Sequence, residues 1–191
     1  MKIAVIGGIG SGKSEVMKVA KEMGITCLSA DEINDALLHE PVYISKIASR
    51  FPECVAHGAV DKPKLASVVF SDEKKRRALN DIAHPEIARR IAECDADPLA
   101  VELPLALESG MATAFDEVIL VSAPKSLRLK RLESRGVPEA RANAVMRVQV
   151  PEKELEKIAT VILFNDGSLS ALRAEAKAAF EKALGKRLQP R

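Results

Sequence analysis

The sequence predicts an α/β fold in which a parallel sheet is flanked by helices. Three observations carry that prediction: short, continuously apolar runs suited to strands covered on both faces, helix-period segments lying between them, and a strand–loop–helix–strand unit within about the first thirty residues. At 191 residues and 47% hydrophobic, the chain is long enough for one ordinary core and short for two. One domain with excursions is expected.

Ile3, Ala4, Val5 and Ile6 make the first strand, and glycines follow it at once. From Lys13 the apolar residues Val16, Met17, Ala20 and Met23 recur at helical spacing, and Gly24 stands where a C-terminal cap belongs. Ile25 to Leu28 resumes strand character and closes the βαβ unit. The middle third reads as a helical excursion, with helices over Glu32–Leu38, Lys64–Phe70, Glu73–Ile82 and Glu86–Cys94, punctuated by Pro41, Pro52, Pro63, Pro85 and Pro98. Leu99–Leu103 and Glu117–Ser122 return to strand composition. Lys125–Arg135 is a basic helix, broken by Gly136, Val137 and Pro138 before another begins over Glu139–Arg147, a helical hairpin of the kind that serves as a lid. Thr160–Phe164 is the last strand, and an alanine-rich helix over Leu169–Leu184 leads into a tail expected to fray. The sequence carries no internal repeat or low-complexity segment.

Composition excludes several function classes. Aromatics are 3% and tryptophan is absent, so stacking platforms for exposed bases are poorly supplied. Lys and Arg number 29 against 27 Asp and Glu, a balance of +2, too small for a polyanion-wrapping surface. Any anion site must be local. Cys27, Cys54 and Cys94 show neither a C-x-x-C pair nor interleaved histidines, and read as reduced thiols of a cytosolic protein. No apolar run approaches the roughly 20 residues that span a bilayer, and Met1 to Ile6 is too short for a secretory core. A cytoplasmic chain that binds neither membrane nor nucleic acid is expected.

The glycines have a chemical reason. Gly7, Gly12, Lys13 and Ser14 fit the spacing G-x-x-x-x-G-K-[ST], in which backbone N–H groups converge on a nucleotide's phosphates. Gly8, Ile9, Gly10, Ser11, Gly12, Lys13, Ser14 and Glu15 are the expected nucleotide-binding residues. The helix from Lys13 points its positive end at the anion, Lys13 bridges β- and γ-phosphate oxygens, and the Ser14 hydroxyl ligates Mg²⁺. A dinucleotide fingerprint fits worse, because Lys13 stands where its third glycine belongs. A GTPase lacks support too, with no N-K-x-D base-reading motif and no D-x-x-G switch. A small-molecule kinase suits the length.

Asp31 falls just past the second predicted strand, where ligands meet open α/β sheets. Two readings stand side by side: a carboxylate that accepts the proton of an attacking hydroxyl, or an acidic residue inside a capping box running from Ser29 to Glu32. Arg128, Arg131 and Arg135 share one helix face, either as a phosphate clamp or as a solvated stripe.

With these residues in view, the chain resembles the dephospho-CoA kinase family over nearly its whole length. GGIGSGKS over Gly7–Ser14 is similar to the family's loop, and Asp31 to the second acid of its D-x-D. Gly58, Asp61, Leu65 and Phe70 lead to His84-Pro85, PLALE over Pro104–Glu108 resembles P-L-L-x-E, and Ala123-Pro124 with Arg131 and Arg135 resembles the start of its lid. Gln149 and the run Asn165-Asp166-Gly167-Ser168 close the series. The resemblance implies a P-loop NTPase fold with a core over 1–40, 97–124 and 158–191, a helical CoA-binding region over about 41–96 and a lid over about 125–152. It implies ATP and dephospho-CoA as substrates, Mg²⁺ as cofactor, Lys13, Asp31 and Arg131 as catalytic residues, and acceptor contacts from Asp31, Lys62, His84 and Glu108. His84 has a second reading as a cap for a helix opening at Pro85, and Glu108 as a helix-start carboxylate.

The chain departs from the family pattern in four places. Ser29 replaces the first acid of D-x-D, Lys62 stands where arginine is usual, Thr160 replaces an aspartate, and Ala144 occupies a common arginine position before Gln149. Serine keeps a helix cap while removing a charge, which puts the catalytic role on Asp31. The expected activity is transfer of the ATP γ-phosphoryl group to the ribose 3′-hydroxyl of dephospho-CoA, by a protein expected to be a monomer. A kinase for another small acceptor such as a nucleoside monophosphate, or a regulatory nucleotide-binding protein without phosphotransfer, are the rival readings.

Overall fold

In the computed structural model, which describes residues 1–70, 72–103 and 110–186, the run Ile3–Ile6 is entirely shielded from solvent at the centre of a sheet. In chain order the elements are β1 (Lys2–Ile6), α1 (Lys13–Glu22), β2 (Thr26–Ser29), α2 (Ala30–Leu37), α3 (Pro41–Arg50), β3 (Val55–Ala56), β4 (Ala59–Val60), α4 (Lys62–Phe70), α5 (Glu73–Ala92), β5 (Leu99–Glu102), β6 (Glu117–Ser122), α6 (Lys125–Glu133), α7 (Glu139–Val148), α8 (Glu152–Glu156), β7 (Val161–Phe164) and α9 (Leu169–Lys186). They fall into two compact units, Met1–Ser29 with Ala96–Arg191, and Ala30–Asp95.

The first unit is built on a parallel five-stranded sheet in the order β2-β5-β1-β6-β7. That is the α/β architecture expected from the sequence. Register pairs Val5 with Glu102 and Ser29 with Glu102, so β1, β2 and β5 end together along one edge. Alternation along β1 sends Ile3 and Val5 to one face, where α1 and α9 cover them through Val16, Val19, Ala20, Leu172, Ala176 and Phe180. Phe180 is fully buried in that cluster, and truncating it to alanine would cost about 3–5 kcal/mol. On α1 the chain stops as its glycine implies: Ile25 N–H reaches back to Ala20 O at 3.0 Å, the bond of a Schellman turn.

The second unit is helical apart from a two-residue hairpin. His57 and Gly58 both have positive φ, 52° and 74°, the turn that joins β3 to β4. The sequence reading missed this hairpin and also missed α3. Pro41 was expected only to interrupt; it sits instead in the first turn of α3, where its missing N–H costs nothing. Tyr43 and Ile47, one turn apart, bury that helix. Pro85 corrects a second expectation, because the two helices over 73–82 and 86–94 are one, α5, which runs through the proline. Ala83, Ile87 and Ile91, at spacings of four, are all buried on one face of α5, and this packing outweighs the lost backbone bond. His84 therefore lies inside a helix and does not cap one. Asp72 caps it, accepting from the N–H groups of Lys74 and Lys75 at 2.8 and 3.2 Å. Short α8 was also unforeseen. Among the described residues no helix is long and apolar enough to cross a membrane, and all three cysteines are free thiols.

Candidate active site

The loop between β1 and α1 leaves the sheet at its central strand, and its shape depends on glycine. Gly12 has φ +112°, and a Cβ there would lie 2.2 Å from the Asn165 Nδ2. Neither the dihedral nor the space admits a side chain. Lys13, the first residue of α1, is buried at 9% exposure. Its ammonium folds back over the loop, donating to Gly7 O at 3.0 Å and Gly8 O at 3.4 Å, with Glu102 Oε1 at 3.7 Å. A cation held beside a helix N-terminus makes a strongly anion-attracting corner. Ser14, next in the first turn, is exposed.

Two loop amides are already engaged. Ile9 N–H donates to Gln149 Oε1 at 3.0 Å, and Ser11 N–H to Gly8 O at 3.1 Å. Outward-facing carbonyls are engaged too: Arg128 Nε donates to Ile9 O at 2.8 Å, and Arg131 reaches Gly10 O and Ser11 O at 3.5 and 3.4 Å. Arg131 also holds Asn165, through both its backbone O at 2.9 Å and its Oδ1 at 3.0 Å, while Asn165 Nδ2 donates to Ser11 O at 2.7 Å. Burial lowers the Arg128 pKa, partly offset by Glu152, so this guanidinium depends on the oxygens it has found. Of the basic stripe, Arg128 and Arg131 thus face the loop, and Arg135 is exposed.

A loop of this form on a parallel sheet admits many kinases, and comparison over the full length decides among them. The family model for dephospho-CoA kinase matches residues 1–171. The chain belongs to the dephospho-CoA kinase family. A dephospho-CoA kinase of Carboxydothermus hydrogenoformans is 32% identical over 192 residues, covering 94% of this chain and 93% of that protein. Among solved structures, one from Thermus thermophilus superposes with a TM-score of 0.81 at 33% identity, covering 95% of this chain and 97% of its own. The dephospho-CoA kinase from Campylobacter jejuni gives 0.68 at 27% identity, covering 98% and 100%.

Within this family member the remaining expected residues lie as follows. Asp31 is exposed in the first turn of α2, directly after Ser29 closes β2. Lys62 opens α4 and pairs with Asp35 at 2.9 Å, while His84 is half-buried within α5. Glu15 is drawn toward the α1–α9 seam, bonded to Lys18 at 2.6 Å and Arg173 at 3.5 Å. Glu108 lies outside the described residues. Sequence reasoning missed Glu102 as a neighbour of Lys13. Its signal was present: like Asp31, it is an acid at the C-terminal end of a strand, where open α/β sheets place their ligands. Beside the loop, Ser122, Pro124, Lys125, Arg128, Glu152, Phe164 and Asp166 line a cleft of about 360 Å³.

Proposed function

We propose that this chain transfers the γ-phosphoryl group of ATP to the ribose 3′-hydroxyl of dephospho-CoA, in the final step of coenzyme A synthesis, with Lys13, Asp31 and Arg131 as the residues of the reaction. One observation carries the reading: the buried Lys13 ammonium turned over a phosphate loop, in a chain matched to the family from its first residue to 171. Donor phosphates take the amides of Gly10, Gly12, Lys13 and Ser14, and Lys13 exchanges the Gly7 carbonyl for phosphate oxygens. Phosphoryl transfer asks for alignment and charge stabilisation more than covalent help, which suits a site made of amides and cations. Asp31 receives the acceptor hydroxyl's proton as that oxygen attacks phosphorus in line. Arg131, held beside the loop by Asn165, offsets charge on the transferred group. Lys62, His84 and Glu108 contribute to holding the acceptor.

The chemistry here fits Mg²⁺. Ser14 offers a hard oxygen beside the loop, and Glu102 a carboxylate by Lys13, the donor type this ion prefers. When bound, the ion supplies further neutralisation of phosphate charge. The protein works as a cytoplasmic monomer on small-molecule substrates.

The test is direct. Incubation with ATP, Mg²⁺ and dephospho-CoA yields CoA, heavier than the acceptor by one phosphoryl group, detected by mass. Nucleoside monophosphates in place of dephospho-CoA yield no diphosphate. CoA absent while another acceptor is phosphorylated would overturn the assignment.

A further inference from the structure

Three contacts close a ring around one residue of the loop. Ile9 N–H donates to Gln149 Oε1 at 3.0 Å, Arg128 Nε donates to Ile9 O at 2.8 Å, and Arg128 Nη2 donates to the same Gln149 oxygen at 3.3 Å. Both polar groups of Ile9 are therefore held by side chains 119 and 140 positions away. Neither contact arises from local chain geometry. Arg128 stands on α6 and Gln149 immediately follows α7, so the two ends of the helical hairpin over 125–148 meet at the loop.

The loop's composition answers this contact. A Cβ on Gly8 would lie 2.3 Å from Arg128 Nη2 and 2.6 Å from its Cζ, and a Cβ on Gly10 would lie 2.9 Å from the Arg128 carbonyl oxygen. Gly8 has no positive φ that would require glycine, so its small size is what the structure uses. The guanidinium lies where an alanine methyl at position 8 would stand, and it would have to swing off Ile9 to admit one.

We propose that Arg128 and Gln149 are positioning residues that clasp Ile9 and pre-shape the loop for the donor's phosphates, and that Gly8 is glycine to admit the Arg128 side chain. A planar guanidinium bridges two oxygens at once, which the point charge of lysine does not reproduce. The amides of Gly10, Gly12, Lys13 and Ser14 are then set in place before nucleotide arrives, and binding avoids the entropy of ordering them. Neither side chain touches the reacting atoms. This inference rests on the loop being the donor site.

The experiment measures ATP affinity by calorimetry with Mg²⁺, together with kcat, KM for ATP and Tm, in wild type, Arg128→Ala, Arg128→Lys, Gln149→Ala, the double variant Arg128→Ala/Gln149→Ala, Gly8→Ala and Gly8→Ala/Arg128→Ala. A charged hydrogen bond is worth enough that Arg128→Ala weakens ATP binding about tenfold, with Gln149→Ala somewhat less. Arg128→Lys does not restore affinity. The double variant loses no more than Arg128→Ala alone, because the pair acts as one clasp. KM for ATP rises while kcat changes less than threefold. Gly8→Ala loses about as much affinity as Arg128→Ala, because the methyl turns the guanidinium away from Ile9, and Gly8→Ala/Arg128→Ala loses no more than Arg128→Ala alone. Should Gly8→Ala not fold, the Arg128/Gln149 cycle decides alone. Wild-type affinity in folded Arg128→Ala and Gln149→Ala, or strictly additive losses, would overturn the clasp. Absence of nucleotide binding by wild type would overturn instead the reading of the loop.

Discussion

Gly12→Ala examines how the phosphate loop is held in shape. The residue sits at φ +112°, a conformation that costs an L-residue about 1–2 kcal/mol. The new methyl would also lie 2.2 Å from Asn165 Nδ2, far inside contact distance. Asn165 cannot yield freely. It is 5% exposed, its Nδ2 donates to Ser11 O at 2.7 Å, its own N–H donates to Ser122 O at 2.7 Å, and it accepts twice from Arg131. Displacing its amide abandons at least one buried hydrogen bond, worth about 1–3 kcal/mol. The expected destabilisation is therefore about 2–5 kcal/mol, a large share of a typical domain's stability. At about 2–4 °C per kcal/mol for a chain of this size, Tm falls by roughly 4–20 °C. Differential scanning calorimetry reads the change, and Asn165→Ala in the same background returns part of it by opening space. A Gly12→Ala protein that melts within a degree of wild type and binds ATP equally would refute both the strain and the packing argument.

Four further outcomes are expected. Lys13→Met lowers kcat by about 10²–10³ and, by removing the ion pair with Glu102 and the bonds to the loop carbonyls, also lowers Tm; steady-state kinetics and calorimetry check the two effects separately. Asp31→Asn lowers kcat by about 10²–10⁴, while Ser29→Ala costs less than tenfold; equal small losses would return Asp31 to a structural role. Tyr43, 2% exposed and donating to Asn34 Oδ1 at 2.8 Å, has its pKa raised from 10.0 to about 12, first by burial and then by Glu86. Between those values the unfolded chain releases a proton that the folded one keeps, so about 2–3 kcal/mol of stability, intact below pH 10, is lost by pH 12. It is the chain's one tyrosine, so phenolate absorbance reports it alone, and Tyr43→Phe abolishes the extra loss. Finally Pro85→Ala, which restores an N–H inside α5, raises stability by about 1–3 kcal/mol in denaturant titration.

Legibility followed the range of the interactions. The three central strands could be read because each is a run whose burial on two faces is written in consecutive residues, as in Ile3–Ile6 and Glu117–Ser122, while the half-exposed edge strands β2 and β7 were read from apolar composition and their place between helices. The loop was readable for the same reason, its spacing being local. Prolines misled in both directions: Pro41 opens a helix it was expected to interrupt, and Pro85 lies within one it was expected to divide, because packing of Ala83, Ile87 and Ile91 overrides local preference. Resemblance drew attention to Gln149 and Asn165, but nothing near either residue announces that it meets Ile9 or Ser11, 140 and 154 positions away. Glu102 beside Lys13 is the same case at shorter range, decided by the register of β1 against β5. Such partners belong to topology, and composition is silent about them.

The position of β1 at the middle of the sheet has a consequence for synthesis. Its two neighbours, β5 and β6, begin at Leu99 and Glu117, so a nascent chain exposes the apolar stretch Ile3–Ile6 for about a hundred residues of elongation before either partner emerges. Ala30–Asp95, by contrast, is unbroken and has its own buried residues to gather meanwhile. The ribosome thus delivers the glycine loop first and the side chains that hold it, Arg128, Gln149 and Asn165, last. That order of manufacture leaves β1 without a strand on either side until β5 and β6 have left the tunnel.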